Sequence, residues 1–264
     1  MRKAIILFSR IPVAGKTKTR LMPMLSPKAC MALHKAMLLD LGREANKVRA
    51  DLFVCYTGKE EVSEEAFLDF KGLFGNNTTF LPQRGEGLGM RMYHAFFDVF
   101  LRGYDACLLT GSDIPELSDK QFKDAFSILK KKDLVFGPSL DGGYYLVGMK
   151  KPEGTVFEHK AYSHDKVLKE AIVSAKEAGL SYGLTDRLSD LDLYEDIVAF
   201  RKRRREVFSY FGRKSHTEAL LTKLLKISII IPVYNEEKTI EDLKRRLTPF
   251  KKNCEIIFVD GGSQ

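Results

Sequence analysis

The 264 residues include 43 Lys and Arg against 35 Asp and Glu, a formal charge of +8, and 44% of them are hydrophobic. That apolar content suffices for one sizeable core, or for a core with a fragment beside it, and the positive balance favours anionic partners such as nucleotides and phosphorylated substrates. Composition argues against nucleic-acid binding, because there is no Trp, no aromatic platform interleaved with the basic runs and no zinc-ligand spacing; no stretch reaches the roughly 18 unbroken apolar residues of a membrane span.

The opening MRKAIILFSR sets basic residues before an apolar run. That run covers only about six residues before Arg10, short of the roughly 7–15 of a signal core, so it reads as a first strand. In chain order KAIILFS, ADLFVCYT, TTFLP, ACLLTG, DLVFGPS and YYLVGM read as strands bounded by Gly, Pro or Asp. Helical patterns fall between them, over residues 26–49, 60–73, 87–102, 118–131 and 164–178. The alternation predicts an α/β domain with a largely parallel sheet and helices on both faces. Asp141-Gly142-Gly143 between two of the strands signals a hairpin, so the sheet is expected to be mixed. The four cysteines, Cys30, Cys55, Cys107 and Cys254, form no C-x-x-C pair and point to buried thiols in a reducing, cytoplasmic setting.

From Asp196 the character changes. Residues 196–226 are helical in period and strongly basic over Arg201–Arg205, and they read as a connector. A solvated helix face explains the basic run better than contact with anionic lipid does. Residues 227–264 begin afresh as strand, polar turn, amphipathic helix and strand, the start of another α/β domain cut short before it closes a core. The division expected is therefore 1–195, 196–226 and 227–264. A strand left unpaired in the tail would allow pairing with a neighbouring chain, hence a homodimer.

The candidate chemistry starts at LLTGSDIPELS, where a buried strand runs into a lone acid, Asp113. Ligands of parallel α/β sheets bind outside the carboxyl ends of the strands, which puts Asp113 at the mouth of a site. Its plain alternative is to cap the next helix, a role open also to Ser118. A buried, unpaired acid is costly, so a cation partner is expected; Mg²⁺ (or Mn²⁺) shared with phosphate oxygens fits.

SRIPVAGKTKTRLMP supplies Arg10, Lys16, Lys18 and Arg20 around Gly15. Backbone N–H groups beside a glycine, with cations near, suit phosphate, although Walker A spacing is absent and a solvated basic loop is the alternative. LPQRGEGLGMRM sets Gly85, Gly87 and Gly89 at alternate positions around Leu88, with Gln83 before and Arg91 after. Such backbone can approach a flat ligand, and Gln83 can pair with a base edge. RLSDLDLYED offers Asp190 and Asp192; Asp192 is a second carboxylate for the metal, or for a second metal, or the segment is a helix start with Glu195 and Asp196 in its first turn. Of five histidines, only His164 is expected near an acceptor.

Together the GKTKTRL loop, the G-E-G-L-G-x-R-M stretch, GSDIP and GPSLDGGYYLVG resemble the bacterial radical-SAM/selenodomain-associated transferases. More distantly they resemble the phospholactate guanylyltransferases and the molybdenum-cofactor nucleotidyltransferases. The resemblance spans about residues 3–200 and implies a GT-A-like nucleotide-diphospho-sugar transferase fold that depends on Mg²⁺. In the guanylyltransferases a Lys-Ser/Thr-Arg-Leu segment handles phosphates, matched here by Lys18, Thr19, Arg20 and Leu21. Their metal-binding aspartate before a proline matches Asp113 and Pro115. Their G-G-T-N turn near the substrate is matched only at Gly142 and Gly143, and Tyr144 and Tyr145 follow, a departure that leaves the acceptor open. Their aspartate-rich tail is loosely matched by Asp190, Asp192, Glu195 and Asp196. The C-terminal IIPVYNEE and VDGGS resemble the start of a family 2 glycosyltransferase, with Pro232, Tyr234, Asn235, Glu236 and Asp260 at nucleotide-facing positions. The later metal-binding D-x-D of that family is absent, so this piece of an expected two-enzyme fusion is not expected to catalyse.

GSDIP offers one acid where glycosyltransferases of this fold use a D-x-D pair, which favours nucleotidyl transfer. An acceptor phosphate would attack the α-phosphate of an NTP in line and release pyrophosphate. Asp113 and Asp192 would hold the metal while Lys16, Lys18 and Arg20 take up charge. Two alternatives stay open. One is glycosyl transfer from a nucleotide sugar, with Asp141 as base beside Tyr144 and Tyr145; the other is a non-catalytic nucleotide-binding or scaffold module.

Overall fold

The first strand, β1 (Lys3–Arg10), sends Ala4, Ile6 and Phe8 to one face and Ile5 and Leu7 to the other, and both sets are buried. Burial on both faces is what a central parallel strand requires. The computed structural model describes residues 1–158, 162, 164–208, 215–225, 227–236, 239–248 and 254–263. They form two units, Met1–Thr217 and Glu218–Gln264.

In the first unit β1 is flanked by β2 (Asp51–Thr57) and then β3 (Thr79–Pro82) on one side and by β4 (Ala106–Thr110) on the other, all parallel. Next come β6 (Tyr144–Met149), β5 (Leu134–Pro138) and β7 (Tyr182–Leu184), giving the order β3-β2-β1-β4-β6-β5-β7. β6 runs antiparallel to both of its neighbours, through the expected hairpin, and makes the sheet mixed. Side chains of α1 (Pro27–Ala45), α2 (Glu64–Lys71) and α4 (Asp119–Leu129) fill the core on one face. Those of α3 (Gly87–Phe100) and α5 (Val167–Glu177) fill it on the other.

The strands and helices fall where the periodicity puts them, and local chemistry explains their ends. Ser26 Oγ accepts from Ala29 N at 3.2 Å with Pro27 just inside helix α1, a pre-organised start. Ser118 is the N-cap of α4, and its N–H donates to Gln121 Oε1 at 3.1 Å. β7 was not anticipated, because three residues are too few to display an alternation.

The first unit runs on to Thr217, past the expected limit at 195, so it includes α6 (Tyr194–Phe208), whose Ile197 and Phe200 are buried. α7 (His216–Leu224) follows, while residues 209–214 and 226 of the expected connector lie outside the described residues. In the second unit β8 (Ile227–Val233) and β9 (Cys254–Asp260) pair in parallel, with α8 (Ile240–Leu247) between them in sequence, the expected β-α-β. Asp260 Oδ1 accepts from Gly262 N and Ser263 N at 3.2 and 3.0 Å, closing the turn after β9. Cys30, Cys55 and Cys107 are buried free thiols. Among the described residues no helix is long and apolar enough to cross a membrane.

Candidate active site

A cleft of about 410 Å³ opens at the carboxyl ends of β1, β2 and β4, and both Lys18 and Asp113 line it. Lys18 adopts φ 53, one of two non-glycine residues with positive φ among those described. Such a backbone costs about 1–2 kcal/mol. Its side chain is only 5% exposed, with Nζ 2.5 Å from Asp113 Oδ1, 3.0 Å from Asp192 Oδ1 and 2.6 Å from the Leu191 carbonyl. Burial pulls the ammonium's pKa down, but the two carboxylates outweigh it and raise the pKa above the ordinary lysine value, so the group is charged. Desolvation pushes the Asp113 carboxyl up, but Lys18, with the Ser112 hydroxyl, holds it below the usual range.

The alternative roles of the two acids are taken by other residues. Ser118, not Asp113, caps α4. Asp196 Oδ2 accepts from the Asp192 and Leu193 N–H groups at 3.0 and 2.7 Å at the start of α6, so the Asp192 carboxylate is free for Lys18. A backbone bond from Leu191 N to the Asp113 carbonyl, 2.8 Å, ties the two acidic segments together. Asp190 faces Ser139 Oγ at 3.4 Å, and desolvation followed by the charges of Asp141 and Asp192 raises its pKa.

The other predicted cations divide. Arg10 and Lys16 line the cleft, yet both are ion-paired to Glu61, Arg10 closely and Lys16 at 3.0 Å. Arg20 stands exposed on the 3-10 turn Thr19–Leu21 and does not line the cleft, because that turn directs Leu21 rather than Arg20 inward. Gly15, at φ +85, leaves open space around its Cα.

Gln83 and Leu88 line the cleft as well. Gln83 Nε2 donates to the Cys55 carbonyl at 2.9 Å, which leaves Oε1 as the end available to a ligand. Arg91 donates to the Gly85 carbonyl at 3.2 Å and, with Gly85, lines an adjoining groove that shares Arg10 and Gln83. Gly87, φ +71, has space around it; Gly89 does not, since a Cβ there would lie 2.5 Å from the Phe157 carbonyl oxygen. Gly89 therefore serves packing of α3 rather than approach of a ligand.

The residues expected at the acceptor lie apart from this cleft. Asp141 Oδ1 accepts from Gly143 N at 2.9 Å and shapes the hairpin. Gly142, φ +89, is pressed against the Asp165 backbone, where any Cβ would collide. Tyr144 packs on Phe136 with its hydroxyl buried. Tyr145 is 5% exposed, its hydroxyl bonded to Thr185 Oγ1 at 2.9 Å and to the Asp186 carbonyl at 3.0 Å. Strand alternation sends the two rings into opposite cores, and none of these five residues lines the cleft. His164 Nδ1 accepts from Lys166 N in its own loop and is not in the cleft either.

Sequence reasoning missed His34, Ser9 and Ser112, which line the cleft beside Asp113. His34 sits in ALHKAMLLDL, where a histidine on an apolar helix face gives no signal. Among the described residues no three His, Cys, Asp or Glu side chains converge as a metal site. The donor set nevertheless suits a hard cation: two carboxylates, already gathered around the Lys18 ammonium, open to a cleft that can admit phosphate oxygens. Mg²⁺ is usually held by one or two carboxylates together with substrate phosphates.

Fold and site define a GT-A-like transferase domain. A structure from Desulfovibrio desulfuricans G20, assigned to the nucleotide-diphospho-sugar transferases, superposes with a TM-score of 0.75 at 30% identity, over 84% of this chain and 95% of that one. The chain belongs to the nucleotide-diphospho-sugar transferase family. Residues 40–164 match the bacterial family described as an uncharacterized protein conserved in bacteria, DUF2064, and residues 228–264 match glycosyl transferase family 2. The 2-phospho-L-lactate guanylyltransferase of Methanocaldococcus sp. strain FS406-22 is 26% identical over 71% of this chain and 78% of its own length. That of Methanothermobacter thermautotrophicus strain Delta H is 25% identical over 75% and 89%.

Proposed function

We propose that this transferase moves a nucleotidyl group from an NTP to a small phosphorylated acceptor and releases pyrophosphate. The observation that carries the reading is the cluster Lys18–Asp113–Asp192, in which a single acid comes from the end of β4 and the other from the segment before α6. The guanylyltransferase relatives support it. Asp113 and Asp192 would hold Mg²⁺, or Mn²⁺, which when bound neutralises triphosphate charge.

The chain's own residues do the rest. Lys18 supplies a buried positive charge in the cleft wall, and Arg10 and Lys16 add two at its rim. Charge held in place before the reaction stabilises the negative charge that develops on the phosphoryl oxygens. Gln83 offers Oε1 as an acceptor for a donor on a nucleobase. An acceptor phosphate arrives ionised, so its oxygen attacks without a general base. The test is incubation with each of GTP, CTP, ATP and UTP, Mg²⁺ and a panel of phosphorylated acids that begins with 2-phospho-L-lactate. Pyrophosphate release supports the reading. Free nucleoside diphosphate, formed from a UDP- or GDP-sugar and from no NTP, favours glycosyl transfer, the reading suggested by the name of the 30% identical structure.

A further inference from the structure

His34 lies mid-way along α1, 5% exposed, in the wall of the cleft. Its Nε2 is 3.2 Å from Ser112 Oγ and 3.4 Å from Ser9 Oγ. Its Nδ1 is buried with no hydrogen-bond partner among the described residues. The tautomer follows from the partners by argument. Ser9 donates its hydroxyl hydrogen to the Arg10 carbonyl, 2.7 Å away, so toward His34 its oxygen can only accept, and Nε2 carries the hydrogen. Neutral imidazole has one N–H, which leaves Nδ1 a bare acceptor. An orphaned acceptor is the more tolerable of the two ways to leave a buried ring nitrogen unpaired. Burial holds the imidazole pKa down at about 4, so the ring is neutral at pH 7. With Ser112 Oγ accepting from the same N–H at 3.2 Å, its own hydrogen can turn to the adjacent carboxylate of Asp113, whose acidity the Ser112 hydroxyl supports after the larger effect of Lys18.

We infer that His34 is a positioning residue: its Nε2–H orients the Ser112 hydroxyl, which donates to the Asp113 carboxylate and fixes the direction in which that carboxylate faces the cleft. The inference rests on the proposed role of Asp113, and the experiment separates the two.

The first arm needs no activity. Multiple-bond ¹H–¹⁵N spectra at pH 7 are expected to show His34 as the Nε2–H tautomer, with the Nε2 resonance displaced by Ser112→Ala. A proton on Nδ1, or no displacement, overturns the inference. The second arm uses the NTP and acceptor that release pyrophosphate. His34→Leu should lower kcat about 10–100-fold, the usual loss when an outer partner of a ligating group is removed, with the nucleotide KM held within about twofold. His34→Gln, which keeps an N–H at comparable reach, should recover most of that loss. The double variant His34→Leu/Ser112→Ala should be no slower than the worse single one. Additive losses, or a Gln variant as slow as Leu at equal Tm, overturn the inference. If no NTP yields pyrophosphate, the proposed reaction fails by itself. The same variants are then compared for Mn²⁺ affinity by electron paramagnetic resonance, where equal affinities overturn the role of His34.

Discussion

Lys18 and Asp113 meet at 2.5 Å although they come from loops after different strands, and the same ammonium reaches Asp192 at 3.0 Å. A lysine thus supplies the positive charge that these two acids need. A buried charge of this kind is stable only where partners surround it, and here the partners are the proposed metal-holding groups.

Lys18→Met removes the competing charge from between the carboxylates. Without nucleotide, the variant is expected to bind Mn²⁺ on the order of tenfold tighter than wild type, as loss of a nearby like charge implies, read by electron paramagnetic resonance. Its kcat/KM should fall about 100–1,000-fold, the loss typical when one donor to a developing anion is deleted. Equal Mn²⁺ affinities in the two proteins would remove the basis for a metal between these acids.

Glu61 holds Arg10 and Lys16 at the rim. Neutralising it by Glu61→Gln frees both cations for an incoming triphosphate. The nucleotide KM should drop a few-fold at low salt, and the difference should vanish toward ~1 M salt, where the Debye length is about 3 Å. A rise in KM would instead show that Glu61 positions the two cations for phosphate.

Gly89→Ala should destabilise the protein by about 1–3 kcal/mol, because its Cβ meets the Phe157 carbonyl rather than a movable side-chain tip. The urea midpoint shifts while kcat and nucleotide KM stay near wild type. A variant of unchanged stability with weakened nucleotide binding would restore Gly89 to the ligand-facing loop.

Acid sensitivity follows from His34. Its pKa falls on folding from 6.5 to about 4, so between those values the unfolded chain binds the extra proton and stability drops as pH falls. The contribution is fully present above about pH 6.5 and amounts to about 3 kcal/mol lost on the way to pH 4. Asp113, also depressed, withdraws its share at lower pH, below the ordinary 3.8. Denaturant titrations at pH 7 and pH 4 should show the His34 portion in wild type and not in His34→Gln.

The strands were legible because both cores demand uninterrupted apolar residues, and Asp113 stood out because a carboxylate ends such a run. Lys18 and Asp192 could be nominated from composition and resemblance, but their meeting across 174 residues is a product of topology. The glycines and tyrosines of the hairpin were ambiguous for a physical reason: Gly142, Tyr144 and Tyr145 look like a ligand loop, and tight turns and inward-facing rings of β6 need the same residue types. His34 was hidden because its role depends on Ser9 and Ser112, 25 and 78 residues away.

Helix α6 touches both acidic segments. Its first turn holds the backbone beside Asp192 through Asp196, and further along Arg203 grips Glu116, three residues past Asp113, by a 2.7 Å ion pair. The spacing of the two acids is therefore braced from outside the cleft by a single rod. A change in the pitch or seating of that rod would alter the grip on a cation without any residue in the cleft being replaced.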